Sequence, residues 1–283
     1  MTRTTFYAFL GALLLLSCNV STDQGDIIEQ VPPGTVIYSG WADRLCMIGA
    51  DSLLISYDHL VDDPVATYHS SFIYDIRTRI GLPFVKWSGS EPIDIQNGYG
   101  LYPILNGTGV ALIRDTLEIG RVNNLRDPSL NEDGSGVVFA RNDSIFIFDA
   151  ITNTTRVVCS MPNYSYFTRQ PMWRGETIVF SADSGFGFGH IYSVSSLGGI
   201  PRQLTSGPQR DTRPRISGAY IVFCRTTLEG NKNVYRVMIL NNSSVVFAFA
   251  GSVIGPEITG DTLLCCARTR LNNGQDIYLS KWR

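Results

Sequence analysis

The sequence predicts an all-β chain, a six-bladed β-propeller of four-stranded antiparallel blades closed by an N-terminal strand that completes the last blade. Three observations carry this. Prolines recur at Pro128, Pro171, Pro214 and Pro256, spaced 43, 43 and 42 residues apart. Each is followed by a short apolar strand, a hairpin and another strand. A spare strand-like run precedes the first repeat, and the last repeat stops one strand short.

The second strands of the clear repeats read Val137-Val138-Phe139-Ala140, Ile178-Val179-Phe180-Ser181, Ile221-Val222-Phe223-Cys224 and Leu263-Leu264-Cys265-Cys266. The third are Ile145-Phe146-Ile147-Phe148, Ile191-Tyr192, Val234-Tyr235 and Ile277-Tyr278, and a fourth apolar stretch follows in places, as at Arg156-Val157-Val158-Cys159. Four short β-branched and aromatic strands in a repeat of about 43 residues are the pattern of a propeller blade. A helical repeat would need apolar residues at i, i+3 and i+4 over a dozen positions, and none of these segments shows that.

Two weaker copies lie upstream. Glu91-Pro92-Ile93-Asp94 precedes Val110-Ala111-Leu112-Ile113, expected as second strand, and Thr116-Leu117-Glu118-Ile119, expected as third. Arg44-Leu45-Cys46-Met47 precedes Ser52–Ser56 and Phe72–Asp75. The fourth position of the second strand then reads Ser56, Arg114, Ala140, Ser181, Cys224 and Cys266, small in five of six, as a tight site between blades requires. The run Thr35-Val36-Ile37-Tyr38-Ser39 has no repeat of its own. It is expected beside Ile277-Tyr278-Leu279, where it would cover two sheet edges that otherwise invite association. Burying Ile37 and Tyr38 would contribute roughly 1.5–3 kcal/mol each.

At the N-terminus, Arg3 precedes an apolar run from Phe6 to Leu16. That run is too short to span a bilayer, which takes roughly 20 apolar residues, and it fits a signal peptide. It ends in Leu15-Leu16-Ser17-Cys18, which resembles the bacterial lipobox, in which the cysteine is acylated and becomes the first residue. The expected organisation is a lipoprotein signal peptide over 1–17, a tether over 18–34 after lipidated Cys18, and one propeller over 35–283. Acyl chains contribute roughly 0.8 kcal/mol per buried methylene, enough for durable anchoring. The chain is then an envelope protein, its lipid in the outer membrane facing the periplasm or the cell surface, and it touches membrane through that anchor only.

The formal charge of −2 comes from 23 basic and 25 acidic residues with no run of either sign, and only Lys86, Lys232 and Lys281 are lysines. That excludes a groove for nucleic acid, which needs clustered cations. With Cys18 lipidated, Cys46, Cys159, Cys224, Cys265 and Cys266 remain, an odd number with no C-x-x-C spacing. Buried thiols in apolar strands are expected, with a Cys224–Cys266 bridge as the alternative.

Pro128 with Asn131-Glu132-Asp133-Gly134 and Phe139, then His190-Ile191-Tyr192, Gly198-Gly199, Leu204-Thr205 and Asp276-Ile277-Tyr278, resemble the blade of the TolB-like propeller family, whose repeats are also called WD40-like or PD40. The resemblance covers residues 126–283 well and 41–125 faintly. It departs in lacking Asp-Gly in the last three repeats. It implies a monomeric, non-catalytic scaffold that binds a protein partner in the bacterial envelope through the funnel at one end of the channel. Related propellers cover the catalytic domains of serine peptidases, and lyases with similar repeats suggest the alternative, a glycan-binding or glycan-cleaving propeller.

No catalytic constellation emerges, and no metal or other cofactor is expected. His59 and His69 flank Asp62 and Asp63 in what reads as a solvated hairpin, at spacings that fit no zinc or calcium template. His190 stands where the family has Asp and reads as structural. There is no Gly-x-Ser-x-Gly elbow. Gly185-Phe186-Gly187-Phe188-Gly189 lacks the helix and lysine of a phosphate loop, so it reads as a hairpin whose Phe186 and Phe188 form a candidate contact loop. The residues expected around the channel mouth are Asp127, Arg169, Arg213, Arg215 and Glu257. Arginines there would suit a carboxylate or an acidic peptide; pairing among these charges is the plainer reading.

Overall fold

The computed structural model describes residues 35–40, 44–48, 52–60, 67–82, 92–104, 109–161, 169–183, 188–229, 232–241, 244–250, 256–259, 262–268 and 275–281. Cys18 and its tether, Asp62, Asp63 and Phe186 lie outside them.

The architecture is an all-β propeller of small four-stranded antiparallel sheets. In chain order one sheet holds β2 (Arg44–Ile48), β3 (Ser52–Leu60), β4 (Thr67–Asp75) and β5 (Ile80–Leu82), and the next β6 (Asp94–Gln96), β7 (Tyr99–Pro103), β8 (Val110–Arg114) and β9 (Leu117–Val122). Then come β10 (Arg126–Leu130), β11 (Gly136–Arg141), β12 (Ser144–Asp149) and β13 (Thr154–Ser160), followed by β14 (Arg169–Arg174), β15 (Thr177–Asp183), β16 (Gly189–Ser195) and β17 (Arg202–Gln203). After these stand β18 (Arg210–Ser217), β19 (Tyr220–Glu229), β20 (Lys232–Asn241) and β21 (Ser244–Ala250). The remaining sheet runs β22 (Glu257–Thr259), β23 (Thr262–Arg268), β24 (Gln275–Lys281), and then β1 (Thr35–Gly40) from the other end of the chain. As the sequence predicts, β1 lies antiparallel to β24, with Val36 opposite Tyr278 and Tyr38 opposite Ile277. First strands touch in the order β2, β6, β10, β14, β18, β22, and β22 touches β2.

Alternation along each strand splits its side chains between two neighbouring sheets. In β11, Val137 and Phe139 join a core with Leu101 and Leu112 of the preceding sheet. Val138 and Ala140 join another with Ile178 and Phe180 of the following one. Phe180 and Phe223 repeat the position of Phe139, and all three are fully buried, a contribution of roughly 1.5–3 kcal/mol each. Ala140, Ser181 and Cys224 stand one residue later and are also buried.

The second sheet corrects the register expected for it. Val110–Arg114 is its third strand and Leu117–Val122 its fourth; the second is Tyr99–Pro103, which the sequence hides behind a glycine and a proline. The Tyr102 ring lies over Gly100, where a Cβ would meet its Cε2 at 2.5 Å and displace it. Ile95 pairs with Gly100 as Leu130 pairs with Val137, so the small fourth position is Pro103, not Arg114. In the first sheet β3 and β4 run on through the expected hairpin, which places His59 opposite Tyr68 and His69 opposite Asp58 on paired strands rather than in a loop.

The proline period has a local cause. Asp127, Gln170 and Arg213, each just before a proline, have φ of 48°, 54° and 56°, a backbone region costly for residues other than glycine. The ladder slips at each, between Arg126 and Ser129, Arg169 and Met172, and Thr212 and Arg215. Proline, lacking an N–H, is accepted at such a bulge. The side chains turn the strain into stitching between sheets. Asp127 Oδ2 accepts the N–H of Gln170 at 3.3 Å, and Gln170 Oε1 accepts the N–H of Arg213 at 2.8 Å.

Cys159 is a free, buried thiol. Cys224 also stands as a buried thiol, so the alternative bridge to Cys266 is not formed. Loss of water pushes both thiols up to about 11.

Candidate functional site

Each first strand runs outward to a tight connection with the second, and antiparallel pairing returns the third-to-fourth connections to that same end. This is the near end; the second-to-third connections mark the far end. At the near end a cavity of about 660 Å³ opens at the hub, lined by Gln96, Asn97, Glu132, Met172, Arg174 and Glu257 among others. Its volume lies in the range of small-ligand pockets.

Its floor is one level of the first strands. Asp94, Ser129, Met172, Arg215 and Glu257 occupy equivalent positions, as the shared pairing registers show. At that level the sheets bond to one another. Asp94 Oδ2 accepts Leu130 N–H at 2.8 Å and Ser129 Oγ–H at 3.1 Å, and Met172 Sδ accepts Ile216 N–H at 3.3 Å. Arg215 Nε donates to Glu257 Oε1 at 2.6 Å. Burial is the strongest influence on Glu257 and raises its carboxyl above the ordinary carboxylate range, against the opposing pull of Arg215 and Arg174.

Arg174, at the last position of β14, projects from this floor. Its Nη1 donates to Leu130 O at 3.0 Å and to Trp173 O at 2.9 Å, which fixes the guanidinium plane. Among the described residues no carboxylate pairs with it, so Nη2 and Nε remain for a ligand. A second cavity of about 410 Å³ adjoins, sharing Asn97, Glu132 and Gly175 and adding Asn131, Asp133 and Trp173. Trp173 is oriented by its Nε1–H bond to Gly175 O at 2.7 Å.

The five residues expected around one channel mouth divide between levels. Glu257 lines the near-end cavity and Arg215 is tied to it. Asp127 and Arg213 sit two residues earlier on their strands, in the far-end stitching. Arg169 pairs with Ser181 through its backbone at that far end. The five expected at one mouth are thus divided between two levels of the first strands, because Asp127 and Arg215, each beside a proline, stand on opposite sides of it. Of the contact loop, Phe188 is 45% exposed at the far end. His190 lies in β16 opposite Ala182, its Nδ1 buried without a partner among the described residues. Nearby, Asp211 is fully buried and takes both Arg225 Nε and Nη2, at 2.7 and 2.8 Å. Among the described residues no three His, Cys, Asp or Glu gather closely enough to hold a metal ion.

Sequence reasoning missed Arg174, Gln96, Asn97 and Glu132. Arg174 aligns with Gln96, Asn131 and Ser217 at the ends of their strands, where the repeats share no residue type. The one usable signal was the tight connection after each first strand, which converges on the hub in any propeller.

No family model matches the chain, and no curated protein sequence matches it. Solved structures do. TolB from Acinetobacter baumannii superposes with a TM-score of 0.55 at 17% identity, over 82% of this chain and 64% of that one. This chain therefore spans a little under two thirds of that TolB. The β-propeller domain of the trilobed protease from Pyrococcus furiosus gives 0.54 at 13% identity, over 90% and 83%. A putative TolB from Agrobacterium tumefaciens gives 0.53 at 12%, over 89% and 91%. At these identities the likeness is one of fold, a TolB-like β-propeller.

Proposed function

We propose that this chain is a non-catalytic, lipid-anchored scaffold of the bacterial envelope, a six-bladed propeller fastened by β1 that binds a protein partner at its near-end hub. The cyclic contact of the first strands, with β22 against β2, supports six blades in a ring, and the β1–β24 pairing supports the fastening. Anchoring rests on the lipobox ending at Cys18. Binding rests on Arg174, whose guanidinium is held in the hub cavity by two carbonyls with its remaining donors unspent. Such a fork suits a carboxylate of the partner, in a side chain or at a chain end. The scaffold acts as a monomer.

Capture from solubilised envelope tests this. Wild-type protein is expected to retain a partner that Arg174→Ala loses, while thermal unfolding of the two stays close. Identical captured sets would refute the hub as the binding site.

A glycan ligand is the second reading, favoured by Trp173 beside the carboxamide of Asn97 and the carboxylates of Glu132 and Asp133 in the adjoining cavity. An oligosaccharide that raises the melting temperature of wild type but not of Trp173→Ala would favour it over the protein partner.

A further inference from the structure

The exposed aliphatic side chains of this protein fall in a pattern. Ile80, Leu117, Ile151, Leu197 and Ile200 are 60, 69, 84, 82 and 95% exposed. All five lie in the third-to-fourth connection of four successive sheets, or at the first residue after it, and therefore on the rim of the near end. Val157, midway along the outermost strand β13, is 52% exposed as well. The Leu197–Ile200 turn is held beside it by Gly199 N–H bonding to Val158 O at 3.3 Å. At the far end the described residues offer only Phe188 and Leu228 as exposed large apolar side chains. An exposed aliphatic side chain at the same connection of four successive sheets sets the near end apart from the far end.

What covers it follows from the path of the chain. β1 is the fourth strand of its sheet, so Thr35 starts at the near end. The 17 residues from 18 to 34 reach at most about 60 Å when fully extended. A lipid at Cys18 would therefore be joined to the propeller through a segment that leaves it at the near end. Exposed Arg79, Arg156 and Arg202 stand in or just after the same connections. Of the acids there, Asp75 and Asp149 are turned back onto the N–H groups of Thr78 and of Ile151 and Thr152, while exposed Asp115 and Glu118 beside Leu117 are paired with Arg114 and Arg121. Aliphatic side chains flanked by arginine are what an interfacial surface presents to lipid.

We infer that the near-end rim seats on the bilayer, with Ile80, Leu117, Ile151, Leu197 and Ile200 entering the headgroup region. This rests on the anchoring reading above and deepens it. The hub cavity then opens toward the membrane, and the partner it takes is one held at that membrane.

The test places the full lipidated protein in vesicles of phosphatidylethanolamine and phosphatidylglycerol with brominated acyl chains, which quench tryptophan on contact. Leu117→Trp and Ile200→Trp, both on exposed sites, should gain emission over wild type in ordinary vesicles and lose that gain in brominated ones. Phe188→Trp, at the far end, should keep its gain in both. Equal quenching at the two ends, or none at the near end, overturns the seat. Mass spectrometry of the N-terminal peptide reads the anchor separately. An unacylated Cys18 overturns anchoring and seat together, and an acylated Cys18 with an unquenched rim overturns the seat alone.

Discussion

Arg215 reaches across the seam from its sheet to the next and donates from Nε to Glu257 Oε1 at 2.6 Å, with the two side chains 15% and 3% exposed. A buried pair of this kind adds little net stability, since desolvation offsets attraction, but removing one member strands the other. Glu257→Ala should therefore cost about 3–5 kcal/mol, while Arg215→Met with Glu257→Leu should stay near wild type. Urea unfolding of the three proteins checks this; a double variant as weak as the single one would show that the pair itself stabilises the seam.

The same carboxyl sets a pH dependence. Burial holds the folded pKa of Glu257 above its ordinary 4.5. Between that value and the raised one, the folded state keeps a proton that the unfolded chain has released. Stability from this group thus rises as pH falls through the window and levels off below 4.5. Glu257→Gln has no proton to exchange, so the stability of wild type relative to this variant should improve on acidification through the window. A difference that is flat with pH would contradict the burial.

Gln170 joins two costs that substitution can separate. Its φ of 54° is strained, and its Oε1 satisfies Arg213 N–H at 2.8 Å. Gln170→Ala keeps the strain and orphans the N–H, for a loss of about 1–3 kcal/mol. Gln170→Gly orphans the same N–H but relieves the backbone, and should be the milder of the two by about 1 kcal/mol. Chemical denaturation ranks them, and equal losses would mean that the backbone strain is negligible.

The prolines made the repeats legible because one physical requirement, a strained bulge lacking an N–H, recurs in three successive sheets at Asp127, Gln170 and Arg213. Phe139, Phe180 and Phe223 were legible for a similar reason, since each fills the same gap between sheets. Tyr99–Pro103 was not, because Gly100 and Pro103 read as loop until Tyr102 is seen lying over the glycine. The hub site was legible only in part. Glu257 and Arg215 stood out as charges beside prolines, but nothing along the chain separates their level from that of Asp127 and Arg213, two residues away. Arg174 became visible only in space, through its bonds to Leu130 and Trp173, since its position varies from blade to blade.

Cys159 and Cys224 should resist alkylation in the native protein. Their thiols are buried and pushed up to about 11, so little thiolate forms at neutral pH. Iodoacetamide at pH 8 followed by peptide mass analysis should find both unmodified when folded and both modified in urea. Rapid native labelling of Cys224 would show that the seam beside β19 opens.

The pairing of β1 with β24 makes the last prediction. Without Thr35–Gly40 the outer edge of β24 loses a strand that pairs along Gln275–Leu279. The sheet that also carries Glu257 would then end on an uncovered edge. Losing one strand's pairing and burial, a few kcal/mol at roughly 1.5–3 kcal/mol per large apolar side chain, should lower the melting temperature by about 5–10 °C, at ~2–4 °C per kcal/mol for a domain of this size. The exposed edge should also pair with others of its kind, so the shortened protein should gain mass with concentration in light scattering. Adding a synthetic peptide of residues 34–41 should restore both properties. An unchanged melting temperature together with unchanged mass would mean that the propeller closes without β1.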